Sequence, residues 1–250
     1  MTIIITPDTV TCGKAAADLG AQRIREAITL RNRASIIVAT GMSQVEMLDA
    51  LIAAEGIAWE YVTVFHLDEY VGLPVTHPAS FRRYLWERFQ RRLPRPLQAM
   101  HYISGDEDPR QECRRLGALL REQPVIDVCF AGIGENGHLA FNDPPADFTT
   151  DEPYLVVSLD ENCRRQQVGE GWFADLEAVP REAISMSIRQ IMRSRTIVIT
   201  AADQRKARAL RDSTEGPVSP EVPASILQQH ADVAIFTDPA GGSLLTRAVR

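Results

Sequence analysis

His138 closes a run that carries three glycines, Gly132-Ile133-Gly134-Glu135-Asn136-Gly137-His138, and Asp143 follows before Pro144. Glycines at that spacing let a backbone come close to a ligand. An imidazole is the side chain that titrates near neutral pH, and Asp143 is placed to accept a hydrogen bond from it and fix its orientation. The residue types suit general acid–base chemistry on a small molecule. The competing reading, a packed turn with a structural histidine, explains less of the pattern. A dinucleotide fingerprint is excluded by context, because Gly132-x-Gly134-x-x-Gly137 lies late in the chain and runs into His and Pro rather than a helix.

Two further clusters carry polar groups. His66-Leu67-Asp68-Glu69-Tyr70 places adjacent carboxylates at a strand end, facing different ways: one can enter a cleft as a base while the other caps or pairs elsewhere. Taken alone, the pair reads as solvated rim carboxylates, and no matched ligand set supports a metal. Thr40-Gly41-Met42-Ser43 lies between a strand and a helix, with Gly41 permitting close approach and Ser43 as the expected N-cap. Such a helix start binds phosphate, although by itself it also reads as an ordinary turn, and it lacks the lysine of a P-loop. Arg164 and Lys206 are cations near helix starts that singly read as surface charges. Cys129 and Cys163 read as inert small apolar residues.

The elements that would position these groups alternate along the chain. Strands are expected over 3–5, 35–39, 61–67, 125–131, 154–159, 196–200 and 233–236, and helices over 9–29, 43–54, 80–91, 109–121, 204–211 and 241–250. Runs apolar on both faces, such as 35–39 and 125–131, suit a parallel sheet covered on both sides. The expected architecture is therefore α/β, one doubly wound, mostly parallel, Rossmann-like sheet flanked by helices, in a single domain spanning 1–250. Residues 160–180, with Gly169, Gly171 and Trp172-Phe173, form the least regular stretch and are a candidate lid. In such a fold ligands bind at the carboxyl ends of the strands, and the three polar clusters all follow strands.

Bulk properties bound the partners. The 250 residues carry a formal charge of −6, which gives no reason to seek nucleic acid or an anionic membrane. Four widely spaced cysteines without a C-x-x-C pair suggest neither a disulfide framework nor a zinc knuckle. No signal-peptide pattern or membrane-length apolar run is present, and a cytoplasmic location is expected.

In order along the chain, these residues resemble the glucosamine-6-phosphate deaminase family of amino-sugar-phosphate isomerases, which shares its fold with 6-phosphogluconolactonase. The resemblance rests on Thr40 to Ser43, on Leu67-Asp68-Glu69-Tyr70-Val71-Gly72-Leu73-Pro74, and on His77-Pro78-x-Ser80-Phe81. It continues through Gly134-x-Asn136-Gly137-His138-Leu139-Ala140-Phe141-Asn142-Asp143-Pro144, Arg164 and Gln204-x-Lys206-Ala207. It implies conversion of an amino-sugar 6-phosphate to fructose 6-phosphate, or its epimer, and ammonia, with no metal and no organic cofactor. It implies that Asp68 moves the proton between C2 and C1, that His138 assists ring opening, and that Asn136 and Asp143 support it. It assigns the phosphate to Thr40, Gly41, Met42, Ser43, Arg164 and Lys206.

Some positions depart from the family pattern. Asn136 stands where some members carry Asp, and orients the ring without adding charge. Asp143 stands where Glu is usual, on a shorter arm. Residues 148–159 lack the Arg and Lys that allosteric members use for an anionic activator, so activation by N-acetylglucosamine 6-phosphate is not expected. Galactosamine 6-phosphate is the alternative substrate; a 6-phosphogluconolactonase and a non-enzymatic sugar-phosphate sensor are more remote. The partner expected is a small amino-sugar phosphate, with a homo-oligomer left open.

Overall fold

The computed structural model describes residues 1–123 and 125–246. In chain order the elements are β1 (Thr2–Ile5), α1 (Thr9–Arg31), β2 (Ala34–Val38), α2 (Val45–Ala53), β3 (Val62–His66), β4 (Asp68–Tyr70), α3 (Phe81–Arg88), β5 (Ala99–His101) and α4 (Pro109–Arg121). There follow β6 (Val128–Gly132), β7 (Tyr154–Ser158), α5 (Glu161–Gly169), β8 (Glu182–Met186), α6 (Ile188–Ile191), β9 (Thr196–Thr200), α7 (Ala207–Glu215) and β10 (Val233–Thr237).

Seven strands form a wholly parallel sheet in the order β1-β10-β9-β6-β2-β3-β5. The expected mostly parallel α/β architecture is present, and the reason lies in the central strands. β2 is buried at every residue, so consecutive side chains must enter opposite cores. Ile37 packs with Phe65, Cys129 and Ile199 under α4, α6 and α7. Ile36 and Val38 pack with Val64, Val128 and Phe130 under α1, α2 and α3. α1 lies unusually close to its neighbours: a Cβ on Gly20 would stand 2.2 Å from the Phe130 ring, and one on Gly13 about 2.6 Å from the α2 backbone.

A second sheet was not foreseen. β4, β8 and β7 form a three-stranded antiparallel sheet with Asp68 opposite Ser185. Helix boundaries also shift. The helix expected over 43–54 begins as a 3-10 turn, Met42–Gln44, ahead of α2, and Ser43 is not its cap. The Gln44 amide reaches Thr200 instead, and the Ser43 hydroxyl accepts from the same amide. The stretch expected to be least regular contains α5, capped by Asp160, whose carboxylate accepts from the Cys163 N–H. Of the helix expected over 241–250, residues 241–244 form turns, 245–246 are irregular and 247–250 lie outside the described residues. Among the described residues no helix is long and apolar enough to cross a membrane.

Candidate active site

Strand order reverses between β2 and β6: β2 leads on to β3 on one side, and β6 leads on to β9 and β10 on the other. The loops leaving β2 and β6 therefore diverge, which opens a crevice at the carboxyl ends of these strands. A cavity of about 240 Å³ occupies it, reached by the turn after β2, the start of β4, the loop after β6 and the segment after β9.

The turn after β2 supplies Thr40, Gly41, Met42 and Ser43 to the cavity. Gly41 has φ +99°, a conformation that L side chains rarely adopt. Two neighbours hold the turn from outside: the Tyr84 hydroxyl donates to the Gly41 carbonyl at 3.0 Å, and the Thr200 hydroxyl donates to the Ser43 carbonyl at 3.0 Å. Lys206 also lines the cavity and is only 6% exposed. Burial holds its ammonium below the ordinary lysine pKa, with Glu170 and Glu135 pushing the other way.

Asp68 and Glu69 separate as adjacent strand residues should. Asp68 lines the cavity. Its carboxyl is pushed up to about 8, first by burial and then by the neighbouring Glu69 charge. Glu69 turns away toward α3 and accepts four hydrogen bonds, from the N–H groups of Tyr70, Phe81 and Arg82 and from the Ser80 hydroxyl. Burial still pushes it up to about 7 against those bonds.

His138 reaches the same cavity from the loop after β6. The loop curls through Gly137 at φ +86° and Ala140 at φ +53°. That curl sets the imidazole flat against Gly134, where a Cβ would stand 2.3 Å from the ring. Nδ1 lies 3.1 Å from Asp143 Oδ1, so the shorter aspartate arm still reaches. Asn136 accepts from the His138 N–H and donates to both Asp143 and Asp160. Burial raises the Asp143 carboxyl, but the contacts with His138, the Asp160 N–H and the Asn136 amide outweigh it and hold it below the usual value.

The structure thus brings Thr40, Gly41, Met42, Ser43, Asp68, His138 and Lys206 to one cavity, with Asn136 and Asp143 directly behind the imidazole. Arg164 is not brought there. Its guanidinium donates to the carbonyls of Leu176 and Val179, so the expected phosphate ligand instead holds the chain after α5. Arg205, Gln166, Gln167 and Glu170 line the cavity and were missed by sequence reasoning. Arg205 follows a predicted strand on the same rim, a usable signal. It is anchored by Asp203, itself held at φ +89°. The glutamines come from α5, in the stretch read as irregular.

His138, Asp143 and Cys163 hold possible ligand atoms within 4.8 Å of one another. They suit a metal poorly: Asp143 already accepts from Asn136 and the Asp160 N–H, and burial pushes the Cys163 thiol up, away from the thiolate a metal needs.

A sequence profile of the glucosamine-6-phosphate isomerases/6-phosphogluconolactonase family matches residues 7–236. The glucosamine-6-phosphate deaminase of Lactobacillus delbrueckii subsp. bulgaricus is 36% identical over 98% of this chain and 100% of its own. Glucosamine-6-phosphate deaminase 2 of Bacillus subtilis is 38% identical over 88% of this chain and 89% of its own. Among solved structures, a monomeric glucosamine-6-phosphate deaminase superposes with a TM-score of 0.90 at 30% identity, covering 98% of this chain and 100% of that one. The 6-phosphogluconolactonase of Trypanosoma brucei superposes with a TM-score of 0.77 at 16% identity, over 98% of each chain, a likeness of fold alone.

Proposed function

The chain belongs to the glucosamine-6-phosphate isomerase/6-phosphogluconolactonase family, and we propose that it acts as a glucosamine-6-phosphate deaminase, converting glucosamine 6-phosphate and water to fructose 6-phosphate and ammonia. The observation that carries this reading is a buried carboxyl, Asp68, on the same small cavity as the His138 imidazole and the buried Lys206 ammonium. The near-full-length deaminase relatives support the same reaction.

Chemistry assigns the parts. The phosphate is held by the Thr40–Ser43 turn and Lys206, with Arg205 at the mouth. That grip fixes the sugar, so both proton transfers take place at short range. His138 delivers a proton to the ring oxygen and removes one from O1, while Asp143 and Asn136 keep the ring aimed. Asp68 takes the C2 proton of the opened sugar, leaving a 2-amino enol, and returns it at C1. The resulting imine at C2 adds water, ammonia leaves, and the ketone remains. A carboxyl pushed toward neutral pH by burial is a stronger base than an exposed one, as this carbon acid requires.

The test is ammonia release from glucosamine 6-phosphate and galactosamine 6-phosphate, run beside hydrolysis of 6-phosphogluconolactone. Ammonia from an amino-sugar phosphate, lowered by about 10³ or more in Asp68→Asn, is the expected outcome. Lactone hydrolysis without ammonia release, or normal turnover by Asp68→Asn, overturns the reading.

A further inference from the structure

Resting on the deaminase reading, we propose that Glu69 is a positioning residue that locks the strand bearing Asp68 and the phosphate turn into one rigid unit. A helix begins with backbone N–H groups that have no partner within the helix. In α3 those of Phe81 and Arg82 donate to the Glu69 carboxylate, at 3.1 and 2.8 Å. Ser80, the α3 cap, accepts from Arg83 N–H and donates to the same carboxylate at 2.8 Å. The fourth donor is the N–H of Tyr70, next along β4. A buried anion at a helix start is well placed against the helix dipole. Here it arrives from another element, so β4 and α3 cannot move independently.

From α3 the constraint passes to the ligand cavity. Phe81 lines it, and one turn further on the Tyr84 hydroxyl donates to the Gly41 carbonyl. A Cβ at Gly41 would have nothing within 4 Å, so the turn has little packing of its own there, and that hydroxyl ties it at Gly41 as Thr200 does at Ser43. Behind Glu69 the fit is tight: a Cβ on Gly105 would stand 3.1 Å from the Glu69 Cγ and 2.2 Å from the Tyr70 carbonyl oxygen. Glu69 therefore fixes where Asp68 sits and, through Tyr84, where the phosphate is gripped.

Substitution has a second signature. The titratable and charged groups near Asp68 are Glu69 and Tyr70 on its own strand, Cys129 from β6, Tyr154 from β7 and Cys163 from α5, with His138, Lys206, Arg205, Asp203, Glu170 and Glu46 on the same cavity. Burial does most to hold the Asp68 proton on and the Glu69 charge adds to it, so removing that charge makes Asp68 ionise at somewhat lower pH.

The experiment compares Glu69→Gln, Tyr84→Phe and the double variant in the full chain. For Glu69→Gln, kcat falls and KM for the amino-sugar phosphate rises, each by about tenfold, and the acid limb of kcat/KM moves to lower pH. Tyr84→Phe raises KM by a larger factor than it lowers kcat. The double variant raises KM by less than the product of the single factors, because both act along one route. Inorganic phosphate, titrated by calorimetry, reads the grip without turnover: weaker binding in Glu69→Gln is expected even if the deaminase reading fails. Should Glu69→Gln not fold, Ser80→Ala removes one donor and shifts kcat and KM in the same directions by less. A loss of melting temperature alone, with kcat, KM, acid limb and phosphate affinity unchanged, overturns the proposal, as does full multiplication of the KM factors.

Discussion

Asp68 enters the fold with its pKa raised from an ordinary 3.8 to about 8, chiefly by burial and then by the Glu69 charge. An acid raised in the folded state contributes stability that is complete below its unfolded pKa and is lost as pH rises through the folded one. Asp68→Asn should therefore melt like the parent near pH 4 and higher than it by roughly 5 °C or more at pH 8, while its ammonia release disappears. Melting scans across that pH range, beside assays, check both halves. On the proposed role of Asp68 as the ionised base, kcat/KM should climb with pH to an acid-limb midpoint near 8. Gly134 gives a third expectation. Its Cβ would stand 2.3 Å from the His138 ring, so Gly134→Ala should turn the imidazole away and lower kcat by about 10² while phosphate binding persists. His138 was legible in the sequence because glycines and a nearby acid surround it. Asp68 was not legible from spacing alone, since its distinction from Glu69 is a matter of which way adjacent strand residues face.

At the scale of elements, α5 joins the imidazole's support to the wall of the cavity. Its cap, Asp160, accepts from the Cys163 N–H through one oxygen and from the Asn136 amide through the other. The Asp160 N–H donates to Asp143. Asp160→Ala should lower the melting temperature by roughly 2–4 °C, the value of a lost cap. It should also lower kcat beyond that, because Asn136 loses an anchor; calorimetry and steady-state assays separate the effects. The cap itself, Asp160 followed by Glu161, was a readable helix start, but Gly169 and Gly171 drew the reading toward a loop. The five-residue strands of the parallel sheet were legible from apolar runs. β4 and β5 have three residues each, too few to show a period, and β8 mixes Glu182 and Ser185 with apolar residues and shows no continuous run. Arg164 fails as an expected phosphate ligand for a similar reason: its sequence position gives no sign that carbonyls of residues 176 and 179 capture it.

On the scale of the whole molecule, the two sheets divide the labour. The parallel sheet supplies the crevice at its point of reversal, and the small antiparallel sheet carries Asp68 into it. An aromatic cluster of Tyr70, Phe81, Phe141 and Phe173 packs the segment after α5 against the small sheet, α3 and the imidazole loop. One residue ties the arrangement together: Ser185 pairs with Asp68 across the small sheet, while its hydroxyl accepts from the Phe141 N–H and the Asn142 amide on the imidazole loop. All three contacts join distant parts of the chain, and such contacts form slowly because long loops must close first. On dilution from denaturant, the helical signal of α1 and α4 should return before ammonia release does. Stopped-flow circular dichroism set against samples assayed in time reads the interval; simultaneous recovery would count against it. With that interval seen, turnover would serve as a clock for a late closure in folding, the stage at which Ser185 has found its partners on both sides.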